Sequence, residues 1–412
     1  MSASKDLLVE RFLRYVRVNT KSDDSSTDVP STSCQKDLQK ILVEELRALG
    51  LVDAAMDAHG IVFATLPGNV SGHTKTIGLI AHVDTSPDMS GENVTPVIHR
   101  QYDGGTLRLG GDWTLSPVEY PPLADHVGCT LITSDGTTLL GADDKAGVAE
   151  IMTALEYFVR HPEVKRPTVR VAFTCDEEVG RGTDHFDVKR FGAHVAYTVD
   201  GGGVPGEIED ETFSADGATI VFRGKNVHPG YAKGKMVNAL KVASLFVASL
   251  PQDKAPETTD GRQGFVHPVA VQGGVDEARV KLILRSFTDE GLEETREMVR
   301  RLASESCARW SGSSCEVEIS ESYRNMGKVL REHPRSVEIA TQAVRLAGME
   351  PRRAAIRGGT DGARLSFMGL PTPNVFTGGH LYHSRFEWVA VETMHKAVDT
   401  LKQIVMLWAK EQ

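Results

Sequence analysis

Apolar residues recur at helical spacing between positions 6 and 18, at Leu7, Leu8, Phe12, Tyr15, Val16 and Val18, which predicts an amphipathic helix. A second is expected over Gln35–Leu49, ended by Gly50, because glycine readily takes the left-handed conformation that stops a helix. Between them, Asn19 to Ser33 is rich in Ser, Thr and Asp and reads as a surface loop. Short apolar runs follow at Ile61–Leu66, Thr76–Ala81, Thr168–Phe173 and His194–Val199. Thr76–Ala81 is apolar on both faces, the pattern of a strand buried inside a sheet. A helix over about 144–160 separates the second run from the third, and strand–helix–strand alternation predicts an α/β layered domain.

The middle of the chain has another rhythm. Thr219–Arg223, Phe265–Gln272, Val280–Leu284 and Val317–Ser320 read as strands, and Asn238–Ser249 and Glu290–Ser304 as helices. From about residue 335 helix and short strand return, ending in a helix from about Val391 to Lys410. The expected fold class is therefore α/β: a split domain, residues 1–211 and 325–412, with a mixed, mostly parallel sheet covered by helices. An inserted α+β domain of ferredoxin-like pattern, residues 212–324, interrupts it. Residues 85–137, rich in Gly, Pro and Asp, are expected to be irregular, and a loop of that length in a compact protein is usually functional.

Composition narrows the classes. At 412 residues, two domains are a fair expectation. Lys and Arg number 46 against 56 Asp and Glu, a net charge of −10, which argues against nucleic acid or an anionic membrane as partner. Cys34, Cys129, Cys175, Cys307 and Cys315 are odd in number with no C-x-x-C pair, so neither a disulfide framework nor a thiolate zinc site is expected. The start, Met1 to Asp6, leads into no apolar signal core, and no apolar run is long enough to span a bilayer. A cytoplasmic location is the expectation.

Acids and histidines gather where the predicted strands end, and clefts of α/β sheets open at those ends. His82-Val83-Asp84 follows the Thr76–Ala81 run; in an extended H-x-D both side chains face one way, so Asp84 can hold one ring nitrogen and leave the other for a metal. Asp143 and Asp144 precede a helix. One carboxylate suffices for a cap, which frees the other to face a cation. In Asp176-Glu177-Glu178 the acids repel one another unless screened; one glutamate suits metal binding and the other proton transfer. Asp200 ends a strand before three glycines, and His383 lies in a glycine-led turn near the C-terminus. Each feature alone has a plainer explanation: a helix cap, a solvated acidic turn, a structural histidine. Together they form a ligand mix suited to zinc, with cobalt or manganese able to replace it, and two ions sharing one carboxylate would lie roughly 3.5–4 Å apart.

The strings His82 to Asp88, Leu139 to Gly147, Asp176 to Gly180, Tyr197 to Gly203, Asn226 to Gly230, Arg357 to Gly362 and Phe376 to His383 closely resemble, in the same order, those of tripeptide aminopeptidases in the M20 family of zinc metallopeptidases. The resemblance runs from about residue 7 to 408. It implies two zinc ions: one held by His82, Asp143 and Asp200, the other by Asp143, Glu178 and His383, with Asp143 bridging. It implies that Glu177 is the general base and that Asp84 orients His82. It also implies that the inserted domain is a lid for substrate recognition, and it admits a homodimer through that domain. Two departures stand out. His380-Leu381 replaces an expected tyrosine–asparagine, making His380 a second candidate ligand, and Cys175 stands where proline is common.

The substrate expected is a short peptide. His228 is the candidate donor to the oxyanion. Arg285 and Arg357 are the candidates for the peptide carboxylate, which a guanidinium fork binds at two points, with Asn238 assisting; Asp176 or another cleft carboxylate is the candidate for the peptide amine. The alternatives are a dipeptidase or N-acyl-amino-acid hydrolase with the same metal residues, and a non-catalytic peptide-binding protein on the same fold.

Overall fold

A computed structural model describes residues 6–72 and 74–411. The chain forms two compact units: the first takes residues up to Asp210, Met326–Ala354 and those from Thr360 on; the second takes Glu211–Asn325 and Ala355–Gly359.

The first unit is built on an eight-stranded sheet. Its strand order is Ala55–Met56, Val62–Leu66, Val169–Thr174, Ile77–His82, Val195–Gly201, Asn374–Phe376, Glu207–Thr212 and Arg352–Ile356. The strands from Val169–Thr174 to Asn374–Phe376 run parallel, flanked by antiparallel Val62–Leu66 and Glu207–Thr212. Every residue of Ile77–His82 is buried, as its uninterrupted apolar run requires. On one face Ile80 and Ala196 join Phe186, Phe191 and Leu365 in a core cluster. There Gly78 is needed, because a β-carbon would meet the Phe191 ring at 2.6 Å.

Val199 has the opposite parity to Ala196 along its strand and so faces the other side. The helix Ala142–Arg160 lies there, packed against both central strands and against the helices Leu7–Val16 and Val391–Trp408. Its approach depends on Gly147, where a β-carbon would sit 1.8 Å from the Val199 carbonyl oxygen. Any side chain at 147 would push the helix start off the strand end and separate Asp143 from Asp200.

Part of the segment expected to be irregular is ordered. Val97–His99 and Leu131–Thr133 belong to a small sheet with Trp388–Ala390 and Gly379–His380. These strands are two or three residues long, and their partners lie far away in the chain, so no local alternation announces them.

The second unit is a four-stranded antiparallel sheet, ordered Phe265–Gly273, Glu277–Ser286, Ser214–Arg223, Ser314–Tyr323. The helices Ala239–Ser249 and Asp289–Ala308 pack on it around a core that includes Ile220, Phe222, Phe246, Val280, Leu284 and Val299. Its central strand starts earlier than hydrophobicity suggests, because the polar Asp216 is buried with its carboxylate paired to Arg296 and Arg324. Among the described residues no helix is long and apolar enough to cross a membrane.

Glu150, on the helix Ala142–Arg160, is fully buried, and among the described residues neither carboxylate oxygen has a hydrogen-bond partner. Burial raises its pKa well above the ordinary value. The native state therefore holds this proton more tightly than the unfolded chain does. Stability is lost as pH rises from the unfolded pKa toward the folded one, by about 1.4 kcal/mol per pH unit from this group alone. Glu150→Gln lacks that loss. In urea titrations its stability relative to the parent should grow as pH rises above the ordinary glutamate pKa of about 4.3; a difference independent of pH would contradict the assignment.

Candidate metal centre

The parallel strands deliver their polar residues to one end of the sheet. His82 closes its strand with only 2% of its side chain exposed. Its Nε2 lies 2.9 Å from Asp143 Oδ1 and 3.5 Å from Asp200 Oδ1. Its Nδ1 lies 3.0 Å from the Asp84 carbonyl oxygen and 3.4 Å from Asp84 Oδ1. Asp84 thus orients the ring chiefly through its main chain. Its carboxylate accepts the main-chain N–H groups of Glu177 at 3.0 Å and Glu178 at 3.2 Å, fixing the turn that carries both glutamates.

The two adjacent aspartates divide their work. Asp144 accepts the main-chain N–H of His82 and that of Gly147, both at 3.2 Å, so it caps the helix start and ties it to the sheet. Asp143 faces the imidazoles, with Oδ1 toward His82 and Oδ2 3.4 Å from His383 Nε2. His383 Nε2 is also 2.8 Å from Glu178 Oε2, and its Nδ1 is 3.4 Å from Asp88 Oδ2. His82, Asp143 and Asp200 form one group of mutually close donor atoms; Asp143, Glu178 and His383 form another. Asp143 belongs to both.

The electrostatics are those of crowded acids. Burial, reinforced by the Asp143 carboxylate, pushes Glu178 up to about 8, and burial pushes Asp200 up to about 6. Glu177 is raised well above its ordinary value, first by burial and then by the neighbouring acids Asp200, Asp361 and Glu178 against the opposing charge of His82. For His383 burial works against protonation, yet its hydrogen bonds to Asp143 and Glu178 hold the imidazole up to about 11. Neutral imidazole and ionised carboxylate are the ligand forms, so a divalent cation here would displace protons from a site whose geometry already points its donors inward.

Other residues correct or extend the sequence reading. Asp176 is not open to a peptide amine: its carboxylate is taken by Ser31 N–H at 2.7 Å, the Ser31 hydroxyl and Gln35 Nε2 at 2.7 Å. His380 belongs to neither donor group; its ring stacks on Trp388 at 4.0 Å, and burial lowers its pKa to about 4. Cys175 is buried and burial pushes its thiol pKa up, consistent with an inert role. Glu387 was not among the predicted residues, yet its buried carboxylate accepts main-chain N–H groups from the segment bearing Asp143. An acid placed directly before Trp388-Val389-Ala390-Val391 was the available signal.

The remaining predicted residues lie in the second unit. His228 Nδ1 accepts the Gly230 N–H at 3.1 Å, which leaves Nε2 as the protonated donor. Asn238 caps a helix through Leu240 N–H at 2.9 Å. Arg285 donates through Nη1 to the carbonyls of Leu284 and Asp216 and lies over the Tyr323 ring. Arg357 does not offer the free fork expected of it. Its Nη1 donates to the carbonyls of Gly261 and Gln263, its Nη2 to the Thr259 carbonyl and hydroxyl, and its guanidinium lies over Phe213 and Phe265. It pins residues 259–263.

The strand ends of a split α/β sheet domain gather two groups of donor atoms around one shared carboxylate, a donor set suited to divalent cations. The model of peptidase family M20/M25/M40 matches residues 135–407, and the chain belongs to that family. Peptidase T of Geobacillus thermodenitrificans strain NG80-2 is 49% identical over 409 residues, 99% of each chain. A tripeptidase of Staphylococcus aureus superposes with a TM-score of 0.78 at 21% identity, covering 99% of each chain. The YXEP protein of Bacillus subtilis, described as a dinuclear metal-binding peptidase of the M20 family, superposes with a TM-score of 0.64 at 17% identity, covering 97% of each chain.

Because Asp143 is common to both donor groups, any ions the two groups hold should be lost together in Asp143→Ala. In metal-stripped parent protein, a divalent transition metal at about 1,000 times its dissociation constant should add about 4 kcal/mol of stability. The variant should show no such gain in unfolding experiments, and elemental analysis should find no bound ion. One ion retained at full occupancy would contradict the shared role.

Proposed function

We propose that this chain is a two-zinc aminopeptidase that removes the N-terminal residue of short peptides, preferably tripeptides. The observation that carries the reading is the Asp143 carboxylate, set between His82 and His383 beside a turn in which Glu177 directly precedes Glu178. The likeness to peptidase T over 99% of the chain supports the substrate class. The free N-terminus is expected from the resemblance of the motifs to tripeptide aminopeptidases.

The donor set fits zinc: each group combines one imidazole with carboxylates. His82, Asp143 and Asp200 hold one ion; Asp143, Glu178 and His383 hold the other; cobalt or manganese can replace zinc. The ions supply Lewis acidity, which lowers the pKa of water toward neutrality. Glu177 takes a proton from the attacking water and delivers it to the leaving amine. Desolvation raises the proton affinity of its carboxyl; in its ionised form the group takes the proton, and the raised affinity lets it hold that proton until the amine leaves. Asp84 keeps Glu177 in place through the main-chain N–H it accepts. In the second unit, the Nε2–H of His228 is chemically suited to a developing oxyanion, and the Nε and Nη2 edge of Arg285 to a carboxylate.

Glu177→Ala should bind metal as the parent does and lose hydrolysis by about 10²–10⁴-fold or more. Turnover at the parental rate would overturn the base assignment. Substrate class is tested by steady-state rates on di-, tri- and tetrapeptides with free or acetylated N-termini. Tripeptides with a free amine should give the highest kcat/KM. Preference for an acylated amino acid or a dipeptide would replace this reading with the corresponding hydrolase, and no hydrolysis of any of them by zinc-loaded protein would favour a binding protein.

A further inference from the structure

Glu387 is fully buried and lies four residues after His383. Its Oε2 accepts the main-chain N–H of Leu140 at 2.8 Å and of Gly141 at 2.7 Å, and its Oε1 accepts that of Asp143 at 3.0 Å. Its own main-chain N–H donates to the Ser384 carbonyl at 3.2 Å, inside the turn that carries His383. The amides it gathers lie at a helix start, where N–H groups lack partners within the helix and attract a negative charge. One of them belongs to the residue whose carboxylate faces both imidazoles.

We propose that Glu387 is a positioning residue: it locks the Asp143 segment to the His383 turn, so that one carboxylate and two imidazoles face one another before any ion arrives. The proposal rests on the two-metal reading above. Among the described residues no other acceptor serves all these amides at once. Asp144 caps Gly147 further along the helix, and Gly141 is left-handed, with φ of 84° and no side chain of its own to offer. Both oxygens of Glu387 are occupied by donors, so Glu387→Gln cannot reproduce the clamp. Whichever way the amide is turned, its NH₂ faces at least one main-chain N–H, donor against donor. The Asp143 carboxylate itself is untouched by that change.

The test is a calorimetric zinc titration of metal-stripped, full-length protein, well below its unfolding midpoint. The parent should bind two ions. Glu387→Gln, folded by circular dichroism, should bind zinc about 10–100-fold more weakly, the usual range for groups that orient ligands. If the variant unfolds more easily when zinc-free but binds two ions with parental affinity, Glu387 is merely structural and the proposal is overturned. Hydrogen exchange on the zinc-free parent decides the matter if the variant does not fold. The Leu140, Gly141 and Asp143 amides should be protected before zinc is added; exchange at the rate of unstructured amides would overturn the clamp. A parent that binds no zinc yet protects these amides would refute the two-metal reading and leave the clamp standing.

Discussion

The Asp143 carboxylate stands between two imidazoles, and this arrangement constrains much of the first unit. Asp84, Asp143, Glu177, Glu178 and Asp200 crowd one end of the sheet, with His82 and His383 set among them as balancing bases. Like charges at such separations and burial cannot all persist unless cations or N–H groups meet them. The fold answers in two ways. Some of these acids are given main-chain N–H partners: Asp84 takes those of Glu177 and Glu178, and the neighbouring Asp144 those of His82 and Gly147. Others keep an edge pointed at the imidazoles, and these are the ones that suit a metal. Gly147 sits beneath the whole arrangement, since its missing side chain lets the helix start reach the strand end.

The second unit shows how residue type alone can mislead about function. Arg285 and Arg357 are both arginines near glycine or strand ends, and both suit a peptide carboxylate on chemical grounds. The terminal nitrogens of Arg357 are committed to carbonyl and hydroxyl acceptors around residues 259–263 and its flat face to two phenylalanines. Among the described residues Arg285 commits Nη1 alone to hydrogen bonds, so it keeps donors for a ligand. His228 is informative in another way. The Gly230 amide fixes its tautomer, which turns a surface histidine into a donor of known direction.

Much of the fold was legible because burial on both faces writes itself into sequence: the Ile77–His82 and Val195–Gly201 strands are apolar runs ending in the acids and histidine of the site. His82 and Asp200 were legible for the same reason, since they close such runs, and Asp143 because it stands at a helix start; Glu178 and His383 lie in turns, and their residue types and motif strings carried them. What escaped were features made by distant pairing. The small sheet joins Leu131–Thr133 to Trp388–Ala390, and Glu387 binds the backbone amides of Leu140, Gly141 and Asp143; neither leaves a local periodicity. Asp176 was misread because its position beside Glu177 suggested solvent or substrate. Its partners, Ser31 and Gln35, lie in a loop and helix start far upstream. The early start of the Ser214–Arg223 strand was hidden because Asp216 looks unfit for a core until Arg296 and Arg324 are beside it.

The shared carboxylate is tested most directly by anomalous diffraction from crystals of the zinc-loaded protein, with data on both sides of the zinc absorption edge. The account predicts two peaks roughly 3.5–4 Å apart, one beside His82 and Asp200, the other beside Glu178 and His383, with one Asp143 oxygen directed at each. A single peak, or two peaks that Asp143 does not join, would contradict it.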